Sequence, residues 1–246
     1  MNSISPNLNI MIKAAERASK VLIRDFGEVE KLQVSIKGPS DFVTNTDKKV
    51  EKILIEELNK AKKNYSILSE EIGKIENLDK DNFWIIDPID GTTNFLHGVP
   101  HFAISIALRN KNEIISGLIY DPIKNEMFYA DKDNGAFLNN QRIRVSSKKN
   151  LNECLFASGG KKEIKCKLNI RKSGSAALDL AYVASGRFDG YFQNELNLWD
   201  IAAGLILVTE AGGKTNNLDN ISVNNLRVNA ASNTIYEKML ENLDKF

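Results

Sequence analysis

The chain has 246 residues, 42% hydrophobic and 26% charged, a composition of soluble globular proteins long enough to build a core without disulfide or zinc staples. Its 33 basic and 32 acidic side chains leave a net charge of +1, which excludes a general attraction to nucleic acid or anionic membrane. Two cysteines, Cys154 and Cys166, an opening MNSISPNLNIMIKAAERA without a leader's apolar run, and no window near the roughly 18 apolar residues of a membrane span predict a cytoplasmic protein with reduced thiols.

Residues 7–26 place Leu8, Met11, Ile12, Ala15, Ala18, Leu22 and Ile23 at helical spacing, with Gly27 as the C-terminal stop. Thr46 predicts the cap of a second helix whose buried stripe is Val50, Ile53, Leu54 and Leu58 and whose first turn holds Asp47. Segments 65–69 and 83–86 read as short buried strands, each ending in acid. Segments 102–108, 113–120 and 126–130, separated by Asn110-Lys111-Asn112 and by Asp121-Pro122, read as an antiparallel meander. A helix over 176–185, a strand over 188–193 and helices over 199–211 and 233–243 complete a mixed α/β pattern in layers. No linker, low-complexity tract or repeat divides the chain. Residues 1–246 are therefore expected to form one domain, with an N-terminal lobe to about 145 and a C-terminal lobe from about 146.

Chemistry concentrates in Phe83-Trp84-Ile85-Ile86-Asp87-Pro88-Ile89-Asp90-Gly91-Thr92-Thr93-Asn94-Phe95, where a buried strand runs into two carboxylates and a glycine turn. Asp-Pro and Asp-Gly are ordinary turn dipeptides. Here they precede Gly91-Thr92-Thr93, whose amides can form an anion-binding nest. Carboxylates beside an anion nest need a cation between them, and hard oxygen ligands select magnesium or manganese. Glu70 and Glu71 end another strand, where open α/β sheets gather ligands and where polar termini are also commonplace. Asp200 falls in the stretch 198–208, apolar on every face, where an unpaired carboxylate is costly. Capping of the first helical turn or a metal would account for it.

Other motifs fail on spacing. Gly213-Lys214-Thr215 lacks the first glycine of a phosphate-binding P-loop, whose place falls at Val208. Gly98 and Pro100 break any helix that would align His97 with His101, which leaves neither a zinc pair nor a catalytic triad. Ser173-Gly174-Ser175 does not satisfy the nucleophile-elbow pattern. Direct attack by water remains. Residues 142–172 carry ten basic side chains against Glu153 and Glu163, which reads as a solvated edge or as a patch for a polyanionic partner.

Four stretches carry a resemblance: 38–47 (Gly-Pro-Ser-Asp-Phe-Val-Thr-Asn-Thr-Asp), Ser69-Glu70-Glu71, 84–95, and Trp199-Asp200-Ile201-Ala202-Ala203-Gly204 with Glu210-Ala211-Gly212-Gly213. Over nearly its whole length the chain resembles the inositol monophosphatase family of magnesium-dependent, lithium-sensitive phosphatases. The stretch 174–182 is most similar to the bacterial branch, members of which are linked to ribosomal RNA transcription. The resemblance implies a layered α-β-α-β-α sandwich, usually a homodimer. It implies a first Mg2+ on Glu70, Asp87 and the Ile89 carbonyl, a second on Asp87, Asp90 and Asp200, and a weaker third beside Glu70. It places catalytic roles on Glu70 and Thr92, with Asp47 orienting the Thr92 hydroxyl, and phosphate on the amides of Gly91 and Thr92. Substrate is expected along Asp90, Gly174, Ser175, Ala176 and Gln193. The implied activity is hydrolysis of a small polyol or sugar phosphate, first of all myo-inositol 1-phosphate. Fructose 1,6-bisphosphate, histidinol phosphate, a nucleotide 3'-phosphate, and a regulatory protein that contacts transcription machinery or RNA through its basic loop 161–172 are the alternatives. Two departures stand out: Gln193 occupies the place of a glutamate that grips inositol hydroxyls in many members, and the segment between Ser158 and Arg171 is short.

Overall fold

A computed structural model describes residues 4–28, 34–38, 41–160, 167–216 and 223–243. Helices α1 (Pro6–Phe26) and α2 (Asn45–Ala61) flank a two-stranded ribbon, β1 (Val34–Gly38) and β2 (Asp41–Thr44). Eight strands then form one sheet: β3 (Tyr65–Ser69), β4 (Gly73–Ile75), β5 (Asp79–Asp90), β6 (Ala103–Asn110), β7 (Glu113–Asp121), β8 (Glu126–Asp131), β9 (Gly135–Leu138) and β10 (Gln141–Arg142). Their spatial order is β10-β9-β8-β7-β6-β5-β3-β4, antiparallel except for β3 beside β5, and the short α3 (Thr92–Leu96) follows β5. A second sheet of order β12-β11-β13-β15-β14 comprises β11 (Leu155–Ala157), β12 (Asn169–Arg171), β13 (Gly190–Leu196), β14 (Gly213–Thr215) and β15 (Leu226–Ser232). Helices α4 (Ala176–Ala184), α5 (Leu198–Glu210) and α6 (Tyr236–Leu243) complete the fold.

Strand alternation sorts the side chains into layers. On β5, Trp84 and Ile86 pack with α1 and α2, whereas Ile85 between them faces α4 and α5. On β6, Ile104, Ile106 and Leu108 join the outer cluster and Ala103 and Ala107 the inner one. Tyr191 and Val228 of the second sheet meet α4 and α5 from the other side, while Phe192 and Ala231 turn outward to Tyr236 and Met239 of α6. The result is the expected α-β-α-β-α sandwich, with α4 and α5 as its middle layer. That position explains why α5 is apolar on every face.

Helix α1 ends where Gly27 predicts, its amide bonded to the Ile23 carbonyl. The second helix differs: it begins at Asn45, so Thr46 lies inside its first turn instead of capping it. Thr46 is fully buried and its hydroxyl donates to Asp25 Oδ2 at 2.9 Å, tying α2 to the end of α1. Strands β4, β9, β11 and β12 carry too few alternating apolar residues to be predicted. Lys161, Lys162 and Lys165 of the basic loop, and Cys166, lie outside the described residues; Cys154 is a free, buried thiol. Among the described residues no helix is long and apolar enough to cross a membrane.

Gly204 on α5 lets α4 approach closely, because a Cβ there would stand 2.5 Å from Leu180 Cβ and Cδ1. Gly204→Ala should therefore destabilise the protein by about 2 kcal/mol despite alanine's higher helix propensity. Denaturant titration with an unchanged m-value is the measurement, and equal or greater stability contradicts this packing.

Candidate active site

Strand β5 does not stop at Ile86 but continues through Asp87 to Asp90. Its pairing with β6 shifts between Asp87, opposite Ser105, and Asp90, opposite Ala103. Residues three apart on a regular strand point to opposite faces; the extra residue of this bulge resets the alternation. Both carboxylates are buried as a result, at 3% and 8% exposure.

Asp87 Oδ1 accepts the Ile89 amide at 3.0 Å. Burial pushes its pKa well above the usual carboxylate range, and Glu70, Asp90, Asp200 and Asp47 push it further. Every one of those four neighbours is an acid. Asp90 is raised by burial to about 6, although the Ser175 hydroxyl and the amides at the start of α4 pull the other way. Ser175 Oγ and Ala177 N, at 3.0 Å, donate to Asp90 Oδ2, and Ala176 N donates to Oδ1 at 3.2 Å. Asp200 is raised by burial to about 7, opposed by the Asn197 amide, which it accepts at 2.7 Å. The capping role allowed for Asp200 in the sequence is thus present, and its carboxylate also lies within electrostatic reach of Asp90.

Glu70 follows β3, Asp47 is buried in the first turn of α2, and Asp200 lies in the first turn of α5, so three other elements bring predicted acids toward Asp87 on β5. As they stand, no three His, Cys, Asp or Glu side chains among the described residues are close enough together to enclose an ion. The donor set nevertheless suits a hard cation: carboxylates with raised pKa values, confined beside one another, are stabilised by positive charge.

Gly91 has φ +95°, and a Cβ there would lie 3.0 Å from the His101 carbonyl. Only glycine fits this turn, from which α3 starts at Thr92. The Thr92 hydroxyl donates to the Ile89 carbonyl at 2.9 Å, where the family pattern assigns its orientation to Asp47. His97 occupies the C-cap position of α3, and His101 packs edge-on to Tyr182.

Gly174, Ser175 and Ala176 form the entry to α4, with Ser175 as its N-cap. Gln193 lies on β13; its Oε1 accepts the Tyr191 hydroxyl at 2.9 Å and rests over Gly159, where a Cβ would stand 2.1 Å from it. Tyr191 is fully buried, and burial followed by the charges of Asp179, Asp90 and Asp200 pushes its pKa up. A separate hollow of about 760 Å³ between residues 110–114, Lys132, Glu210 and Thr215 contains none of these residues.

Sequence reasoning missed Asn94, Asp179 and Glu51. Asn94 Nδ2 donates to the carbonyls of His101 (2.8 Å) and Ser173 (2.9 Å), joining the glycine turn to the loop before α4. Asp179 accepts the Ser173 hydroxyl on the same loop at 2.6 Å. Glu51 lies four residues from Asp47 and in phase with Leu54 and Leu58, a helical spacing that marks it as inward-facing.

Burial raises the Asp179 pKa to about 8, above an unfolded value near 3.8. Between about pH 4 and 8 the folded protein therefore holds a proton that the unfolded chain releases, so this residue's contribution to stability falls as pH rises. Asp179→Asn retains an acceptor for Ser173 without the titration. Relative to this variant the wild-type melting temperature should decline from pH 5 to pH 9; parallel profiles contradict the assignment.

The chain matches the model of the inositol monophosphatase family over residues 4–245. It is 48% identical to an inositol-1-monophosphatase of Rhizobium meliloti over 221 residues, 84% of this chain and 83% of that one. It is 40% identical to the Nus factor SuhB of Haemophilus influenzae over 98% of this chain and 96% of the relative. The crystal structure of the extragenic suppressor protein suhB from Bartonella henselae superposes with a TM-score of 0.92 at 42% identity, covering 98% and 99% of the two chains. With its five layers, its acids gathered at Asp87 and this match along nearly every residue, the chain belongs to the inositol monophosphatase family.

Proposed function

We propose that the protein is a cytoplasmic, magnesium-dependent phosphate monoesterase, first of all an inositol-1-monophosphatase, that works as a homodimer. The observation that carries this reading is Asp87, buried and pressed by four other acids. Glu70, Asp87 and the Ile89 carbonyl would hold one Mg2+, Asp87, Asp90 and Asp200 a second, and Glu70 would support a weaker third. Bound there, magnesium supplies neutralisation of the phosphate dianion and acidifies the attacking water. The amides of Gly91 and Thr92 bind the phosphate oxygens at the glycine turn. Glu70 accepts the proton of the water, and the Thr92 hydroxyl, with Asp47 behind it, fixes the water's position. Asp90 and Asp200 face the leaving oxygen, while Gly174, Ser175, Ala176 and Gln193 receive the polyol. With Oε1 engaged by Tyr191, Gln193 presents its Nε2 donors to that substrate. No covalent enzyme intermediate is required.

A phosphate-release panel of myo-inositol 1-phosphate, fructose 1,6-bisphosphate, histidinol phosphate and a nucleotide 3'-phosphate tests this. Turnover should be highest on myo-inositol 1-phosphate, require magnesium and fall with lithium. Asp87→Asn should abolish it while leaving the circular dichroism unchanged and, at a pH high enough to ionise Asp87, the metal-free melting temperature equal to or above wild type, because burial and the neighbouring acids oppose that charge. Retained magnesium-stimulated turnover in this variant sinks the reading.

The similarity to the Nus factor SuhB of Haemophilus influenzae favours a second role, contact with transcription machinery or RNA through the basic loop 161–172. Lys167, Arg171 and Lys172 in that segment are exposed. Neutralising Lys161, Lys162 and Lys165 should remove transcription partners in a pull-down and leave phosphate release intact; unchanged capture argues against the loop.

A further inference from the structure

Glu51 is a buried acid that the proposed chemistry leaves unused. It lies one turn beyond Asp47 on α2, 2% exposed. Its Oε1 accepts the Ser69 hydroxyl and the amides of Glu71 (3.1 Å) and Ile72 (3.3 Å). These donors bracket Glu70. Ser69 ends β3 and pairs with Gly73 at the start of β4, so residues 70–72 form the hairpin turn, closed by Gly73 at φ +79°. A short hairpin on the surface satisfies its turn amides with water and needs no acid from a helix beneath it. Burying a carboxylate to bind them is costly, and what it secures is a single placement of the turn. Glu70, the first residue of that turn, heads the acids bearing on Asp87.

We infer that Glu51 is a positioning residue, fixing the β3–β4 turn so that Glu70 meets Asp87 at the spacing a divalent cation requires. The inference rests on the metal reading of the site. Residues that orient a ligand from behind change metal affinity roughly 10- to 100-fold when altered. Glu51→Leu keeps the bulk of the side chain and removes the oxygen that accepts all three donors.

The test is calorimetric titration of the full, metal-stripped chain with Mg2+ or Mn2+, without substrate. Wild type should bind, Glu51→Leu should bind roughly 10- to 100-fold more weakly, and Ser69→Ala, which removes one hydrogen bond, about fivefold more weakly. In a Glu70→Gln background neither change should add a further loss. If Glu51→Leu does not fold, Ser69→Ala and its combination with Glu70→Gln decide. Wild-type uptake with unchanged affinity in the variants overturns the inference alone, as does a loss of equal size in the Glu70→Gln background. No uptake by the wild type overturns the metal reading and this inference together.

Discussion

Repulsion between acids confined at the end of β5 is the constraint around which the structure is arranged. Like charges that bear on one another in a poorly polarisable interior oppose folding, and burial deprives each carboxylate of the water that would screen it. Local donors relieve part of this. The Ile89 amide meets Asp87, the start of α4 meets Asp90, and the Asn197 amide meets Asp200. These bonds reduce the cost without removing the charge, as the raised pKa values of Asp87, Asp90 and Asp200 record. A protein that keeps such an arrangement must recover the stability elsewhere, here in the apolar layers on either face of the larger sheet.

The larger elements were readable in the sequence because their periodicity is strong. The helix 7–26, the meander from 102 to 130 and the apolar stretch around Asp200 each fill a pattern with consistent residues, and each lies within a residue or a few of its expected place. Short strands such as β4 and β12 owe their existence to a neighbour's open edge, and that edge leaves no mark in three residues. Thr46 shows another limit: its residue type suits a helix cap, but Asp25, twenty-one positions away, claims the hydroxyl. Tertiary partners override local preference wherever they offer a buried acceptor.

Within the site, the acids were readable by residue type and spacing, and their mutual approach is what the structure adds. The sequence left Asp200 divided between helix cap and metal ligand; the fold shows it receiving the Asn197 amide at the start of α5, with Asp90 near enough to raise its pKa. Asn94 and Glu51 escaped notice because each acts on backbone or hydroxyl groups remote in sequence, and Asp179 because its partner Ser173 lies in the irregular loop before α4. Polar residues of that kind acquire meaning only when the chain is folded around them. Gln193 illustrates the converse: its identity was noted, whereas its direction, fixed by Tyr191 and by the bare backbone of Gly159, could not be.

The middle layer has a consequence for how the molecule comes apart. Leu178, Leu180, Ile201 and Leu207 belong to one continuous apolar cluster that covers a face of each sheet, so both sheets lose one of their two packed faces together once α4 and α5 leave. Despite two separate sheets, melting should proceed as a single cooperative transition, and the amide protons of α5 should be among the last to exchange with solvent.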